Sequence, residues 1–198
     1  MKGQSMSTLQ EFLVQKRAAI LSRREQAAQN PPSAPKTLEA RVKAEGRSGV
    51  RRIRIREHQI LSDSGPDFAG YDFGPGSPEI QVGILGSCLT HIFEIQAADR
   101  QVPLDSLEVH VRADQDPRAG KPGFEHVPFW PHNITYTVEI ESPAPPEQIR
   151  ELHQAVEAVC PILNLLVNPQ VISGSVTLNG SPNTSNLTIG AQEGIAAD

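Results

Sequence analysis

Residues 77–96 read SPEIQVGILGSCLTHIFEIQ, and the reading of this stretch decides how the rest of the chain must be arranged. Ser77 is a favourable helix cap, and Pro78 suits a first turn because its missing N–H is one that the turn would leave unpaired. Ile80, Val82, Ile84, Leu85, Leu89, Ile92 and Phe93 then spread over most of the helix circumference. A helix that is apolar nearly all round is expected at the centre of a fold, covered by other elements. It should end near Arg100, before Val102-Pro103. In its middle sits Cys88, one of only two cysteines.

The second cysteine, Cys160, lies in another apolar stretch, AVCPILNLL. Pro161 should interrupt it, leaving Cys160 between a helix over 147–159, with Ile149, Leu152, Val156 and Val159 on one face, and a second over 161–167. Strands are expected to bring these two cysteine-bearing helices together. On the amino-terminal side, 37–45 alternates strictly, with Leu38, Ala40, Val42 and Ala44 on one face. Gly46-Arg47-Ser48-Gly49 reads as the turn of a hairpin, returning as one strand over 50–60. There Ile53 and Ile55 point inward and Arg52, Arg54 and Arg56 outward, with Arg51 unusually on the inward side. A loop dense in Gly, Pro, Asp and Ser over 62–76 leads into the central helix.

On the carboxyl side, Leu107, Val109, Val111 and Ala113 mark one strand, and Ile134, Tyr136, Val138 and Ile140 its hairpin partner. The connection ends in HVPFWPH, 126–132, which could line an apolar pocket or edge the core. A last strand is expected over 171–178. The small, polar residues of 180–198 read as a disordered tail. At the other end, Thr8-Leu9-Gln10-Glu11 has the form of a capping box, opening a helix to about Gln29. A proline-rich linker, 30–36, follows. The expected organisation is therefore an N-terminal helix and linker (1–36), an α+β domain (37–179) and a tail (180–198).

The chain has 198 residues and a net charge of -5, which disfavours a nucleic-acid module relying on a basic surface. Two cysteines do not make a secreted disulfide framework, and they suit a reducing compartment. No apolar run is long enough to span a membrane. Residues 5–29 are basic and rich in Gln and Ala, which a transit peptide could share; the cytoplasm is the location expected here.

The two thiols are the main candidates for chemistry. A thiolate is the nucleophilic form, and local features decide which cysteine carries it. Cys160 would start a helix, where free amides favour negative charge. Cys88, mid-helix, would need a cation, from an arginine or from His91 three residues on. Simple packing is the competing explanation, since free cysteines are often just buried. The histidines lack metal-ligand spacing, and there is no phosphate-binding glycine loop and no GxSxG elbow.

With SPE…LGSC at 77–88, AVCPI at 158–162 and the loop SDSGPDFAGYDFGPGSPE, the sequence resembles the OsmC/Ohr family of osmotically induced proteins and organic hydroperoxide reductases over roughly 37–178. The resemblance implies an OsmC-like α+β fold. Antiparallel sheets would wrap around central Cys-bearing helices, in an intertwined homodimer with two sites at the subunit interface. It implies a thiol-dependent peroxidase with no cofactor, and with Cys88 peroxidatic and Cys160 resolving. Arg47, in its glycine-flanked turn, would activate the thiolate, with Arg51 in reserve, and Glu79 would hold the arginine. The implied partners are a small hydroperoxide and a dithiol reductant such as a lipoyl protein, with neither nucleic acid nor membrane. The alternative is a non-peroxidase relative that binds a small apolar molecule in the interface pocket. In the peroxidase branch the glutamate lies one residue further from the cysteine. Here nine residues separate Glu79 from Cys88, about half a turn of net rotation, which puts them on opposite faces unless the helix bends at Gly83 or Gly86.

Overall fold

The computed structural model describes residues 6–190. It is a mixed α and β fold whose sheets are all antiparallel. The first helix, α1 (Thr8–Gln29), is capped by Ser7, whose hydroxyl accepts the Gln10 N–H at 3.2 Å; the cap thus lies one residue before the expected Thr8. Three strands follow, β1 (Arg41–Ala44), β2 (Arg51–Ile55) and β3 (His58–Ser62), paired in that order. The turn at 46–49 is where the sequence puts it. The single return strand over 50–60 is not: it folds back at Arg56-Glu57, with Arg56 at φ 54°, and makes a third strand. A charged Arg-Glu pair carries no glycine or proline signal, so tertiary context rather than turn chemistry sets this bend.

The long helix α2 (Ser77–Arg100) is continuous. Its cap is Gly76, one residue earlier than expected, and the Glu79 carboxylate accepts the Gly76 N–H at 2.6 Å. It ends where Gln101 turns left-handed at φ 58° and donates back to Ala97 and Ala98. Then come β4 (Ser106–Asp114), β5 (His132–Glu141), α3 (Pro146–Val159) and α4 (Pro161–Val167). The chain closes with β6 (Ile172–Leu178) and β7 (Ser181–Ile189), a hairpin. The expected disordered tail is thereby corrected over 181–189; residues 191–198 lie outside the described residues. Asn179 and Gly180, both at positive φ (52° and 79°), form the turn, an Asn-Gly pair whose backbone twist matches that of a hairpin.

The core gathers on one side of α2. Leu85, Leu89 and Phe93 meet Leu152, Val156 and Cys160 from the α3–α4 corner, and Leu104 closes the end, all at 2% exposure or less. Each such aliphatic or aromatic side chain contributes about 1.5–3 kcal/mol relative to remaining in water. The β4–β5 hairpin lays Val109, Val111, Tyr136, Val138 and Ile140 against the same cluster. Gly86 lets α2 approach closely: a Cβ there would meet Val111 Cγ2 at 3.3 Å. The helix α1 lies along α2 through Leu9, Leu13 and Ile20. Lys16 pairs with Glu94 at 2.7 Å, and Arg24 forms a bidentate pair with Asp99, both contacts at 2.7 Å.

Two regions stand apart from this cluster. Val42, Ile53 and Ile60 line up across β1–β2–β3, yet Val42 and Ile60 remain exposed. Along β6 every residue is exposed, Ile172, Val176 and Leu178 included. The helix α2 is itself buried along a stripe rather than all round, since Ile84 is exposed. Among the described residues no helix is long and apolar enough to cross a membrane.

Candidate active site

The two cysteines are brought together although 72 residues separate them in sequence. Cys88 projects from the middle of α2, and Cys160 sits at the break between α3 and α4. The break follows from sequence: Pro161 cannot continue α3, and Cys160 adopts extended backbone (φ -66°, ψ 113°) as the last residue of one helix and the cap of the next. The corner is held by Asn164, whose backbone N–H and side-chain amide both donate to the Cys160 carbonyl, at 3.0 and 2.9 Å. The sulfurs are 3.6 Å apart and both thiols are free. A disulfide requires about 2.04 Å, so closure needs a movement of only about 1.5 Å.

The thiols differ in setting. Cys160 is wholly buried, whereas Cys88 is half-buried. Burial pushes the Cys160 thiol up, against the pull of the Leu163 backbone N–H, and its contact with Cys88 pushes the same way. The helix-start argument for a Cys160 thiolate thus loses to desolvation, the larger effect on this buried thiol.

Of the other expected residues, none reaches the sulfurs by a hydrogen bond or ion pair among the described residues. Arg47 lies exposed at the β1–β2 turn. Arg51 is committed elsewhere: its guanidinium donates to the Gly49 carbonyl at 2.8 Å, the Asp63 carbonyl and the Ser62 hydroxyl at 2.9 Å, and the Ser64 hydroxyl at 3.4 Å. It ties the hairpin turn to the loop before α2, which accounts for its inward position. The Asp63 carboxylate steadies the same loop by accepting the N–H groups of Tyr71 and Phe73 at 3.0 and 3.2 Å. Burial opposes its charge, but these N–H groups, that of Ser64 and nearby Arg51 hold it below the usual aspartate range. Glu79 caps α2, about 13 Å along the unbroken helix from Cys88 and on the opposite face. His91 does not pair with Cys88; its Nδ1 lies 3.3 Å from Lys16 Nζ.

A polar group beside Cys160 escaped the sequence reading. Tyr136 Oη donates to Glu157 Oε1 at 2.6 Å and lies 2.7 Å from His153 Nε2, and His153 stacks on Phe93 at 5.9 Å. Burial first, and then the Glu157 carboxylate, hold the Tyr136 hydroxyl well above its ordinary value. The His153–Glu157 spacing was visible as an i,i+4 pair on one helix face, but the arrival of Tyr136 from β5 was not. A cavity of about 340 Å³ opens between Phe93, Tyr136, Val138, Ile140, Ile149 and His153. The HVPFWPH segment edges no core at its aromatic members, since Phe129 and Trp130 are both exposed. Among the described residues no group of three His, Cys, Asp or Glu side chains could hold a metal ion.

Comparison with known proteins bears on the family and the fold. The profile of a family described as OsmC-like protein matches residues 70–173, just over half of the chain, including Glu79, Cys88 and Cys160 but not Arg47. An OsmC-like protein from Mycoplasma pneumoniae superposes with a TM-score of 0.56 at 20% identity, over 67% of this chain and 89% of its own. A candidate osmotic-stress-induced and detoxification-response protein of Psychrobacter arcticus 273-4 gives a TM-score of 0.53 at 13% identity, over 68% and 91%. An OsmC-like protein of unknown function from Vibrio cholerae gives 0.51 at 14%, over 66% and 94%. At these identities the likeness is one of fold. No curated protein matches the chain in sequence.

Proposed function

Since the chain belongs to the OsmC-like family, we propose that it is a thiol-dependent peroxidase that reduces organic hydroperoxides to alcohols. The observation that carries this reading is the pair of free sulfurs at 3.6 Å, one half-open and one closed. A Cys88 thiolate attacks the terminal peroxide oxygen. The O–O bond breaks, the alkoxide takes a proton and leaves as alcohol, and Cys88 becomes a sulfenic acid. The Cys160 thiol then attacks the Cys88 sulfur, forming the disulfide and releasing water. A dithiol supplies the two electrons that restore both thiols. Sulfur itself carries the electrons, so no cofactor is required.

Activation of Cys88 is assigned to Arg47, held by Glu79, across a homodimer interface. The unmet apolar faces of β1–β3 and β6 favour such an intertwined dimer. The apolar residues around Cys88 favour fatty or aromatic hydroperoxides, and the reducing state the thiols require favours the cytoplasm. A second reading, that the protein binds a small apolar molecule without peroxidase chemistry, draws support from the cavity beside Phe93 and Ile149. Consumption of cumene hydroperoxide with a dithiol reductant separates the two. The wild type should turn over. Cys160→Ser should consume one equivalent and accumulate sulfenic acid on Cys88, and Cys88→Ser should consume none. No consumption by the wild type would remove the peroxidase reading.

A further inference from the structure

The reductive half of such a cycle poses a question of direction: a disulfide can be attacked at either sulfur, and the other then leaves. The attacking thiolate must approach along the S–S axis, from the side opposite the leaving sulfur. Cys160 is wholly buried, in one cluster with Leu152 and Val156 of α3, which have no exposure either. Cys88 is only half-buried on α2. There Ile84, one turn before Cys88, is exposed, and so is His91, three residues after it.

Cys160 has no exposure even in the single chain.

We infer that the reducing thiol enters at Cys88, so that the first mixed disulfide forms on Cys88 and Cys160 is the sulfur expelled. In this step the incoming thiolate forms a bond to Cys88 Sγ, the Cys88–Cys160 bond breaks with its electron pair going to Cys160, and Cys160 takes up the proton that the reductant lost. The second thiol of the reductant, its proton lost to water, then attacks the reductant's own sulfur in the mixed disulfide and expels Cys88 as thiolate. Two electrons pass from dithiol to protein, and the reductant leaves as a cyclic disulfide. The same access restricts the reductant's reactive end to a slender thiol arm able to reach the half-buried Cys88.

The inference rests on the disulfide step proposed above, but its test does not need a hydroperoxide. Diamide forms the disulfide in the full chain; glutathione is then added, exchange is stopped with acid, and free thiols are blocked with N-ethylmaleimide. Peptide mass spectrometry should find glutathione on Cys88 and maleimide on Cys160 in at least tenfold excess over the reverse. The reverse pattern, or equal labelling, overturns the inference. So does failure of diamide to form the disulfide, which would sink the two-cysteine cycle too. Where exchange back to the disulfide outruns the quench, single-cysteine proteins decide. Dithiodipyridine should react with Cys88 in Cys160→Ser at least tenfold faster than with Cys160 in Cys88→Ser, and the two rates should converge in urea. Equal rates in the folded proteins overturn the inference. Loss of hydroperoxide consumption with correct labelling would sink only the peroxidase reading.

Discussion

Cys88 and Cys160 are set in place by side chains with no exposure to solvent, Leu89 and Phe93 from α2 and Leu152 and Val156 from α3, whereas Arg47 and Glu79 ride on the open parts of the molecule. The sulfurs converge across 72 residues of sequence because the elements carrying them share one core. Arg47 stands at a turn of a sheet whose strands pair with no other described strand, and in whose apolar row Val42 and Ile60 are exposed and Ile53 half-buried. The two sulfurs thus meet within one chain, while Arg47 and Glu79, to which the proposed function gives the activating role, lie on exposed surface. The proposed reading ties catalysis to assembly: on it, the chain would form a disulfide alone but need a second copy to form it quickly.

Three perturbations probe that division. The largest effect is expected from Val176→Lys, which puts a charge on the exposed face of β6. Sedimentation should show the dimer converting to monomer, and peroxidase activity should fall more than a hundredfold. The diamide-formed disulfide should survive, because both sulfurs keep their own walls. A monomer with full activity would refute the divided site. The next is Arg47→Ala, which should slow hydroperoxide reduction by roughly a hundredfold, the usual effect of removing a charged group that stabilises a transition state. Alkylation of Cys88 should move to higher pH in this variant while its dimer stays intact. An unchanged alkylation profile would remove Arg47 from the site.

The smallest effect separates two roles for Glu79. As a cap alone, Glu79→Gln should lower Tm by only about 2 °C and leave the rate within twofold. A loss of tenfold or more, with the same Tm, would place its carboxylate on the partner's arginine. Cys160 adds a pH dependence. Its folded pKa is raised, so it contributes stability below the unfolded cysteine value of about 8.5 that is lost as pH rises beyond it. Urea midpoints of the Cys88→Ser protein should therefore decline at alkaline pH more than those of the double serine variant.

The helices were readable because their signals are local: Pro78 and the apolar run for α2, Pro161 for the α3–α4 break. Residues 37–45 were readable as a strand only in part, since alternation gives the pattern but not how much of it finds a partner; pairing covers Arg41–Ala44. The β2–β3 bend was missed because Arg56-Glu57 has no turn chemistry. The β6–β7 hairpin was missed for the opposite reason: Asn179-Gly180 is a strong turn signal, but the polar composition after it outweighed the signal. At the site, residue type pointed to the cysteines and the family resemblance assigned their order. Neither could foresee that Arg51 would be consumed in bonding Gly49, Ser62, Asp63 and Ser64, because that depends on where the loop before α2 returns.

Gly86 is two residues from Cys88 and touches β4 where α2 crosses it. Its missing methyl acts as a spacer of zero thickness. Any side chain there would have to lift the helix or push Val111 aside by a few tenths of an ångström, since the first contact already falls at 3.3 Å. That displacement is a sizeable part of the roughly 1.5 Å the sulfurs must travel to bond. The tolerance of the sulfur pair is therefore written into a residue with no chemistry of its own, the shim on which the helix is levelled.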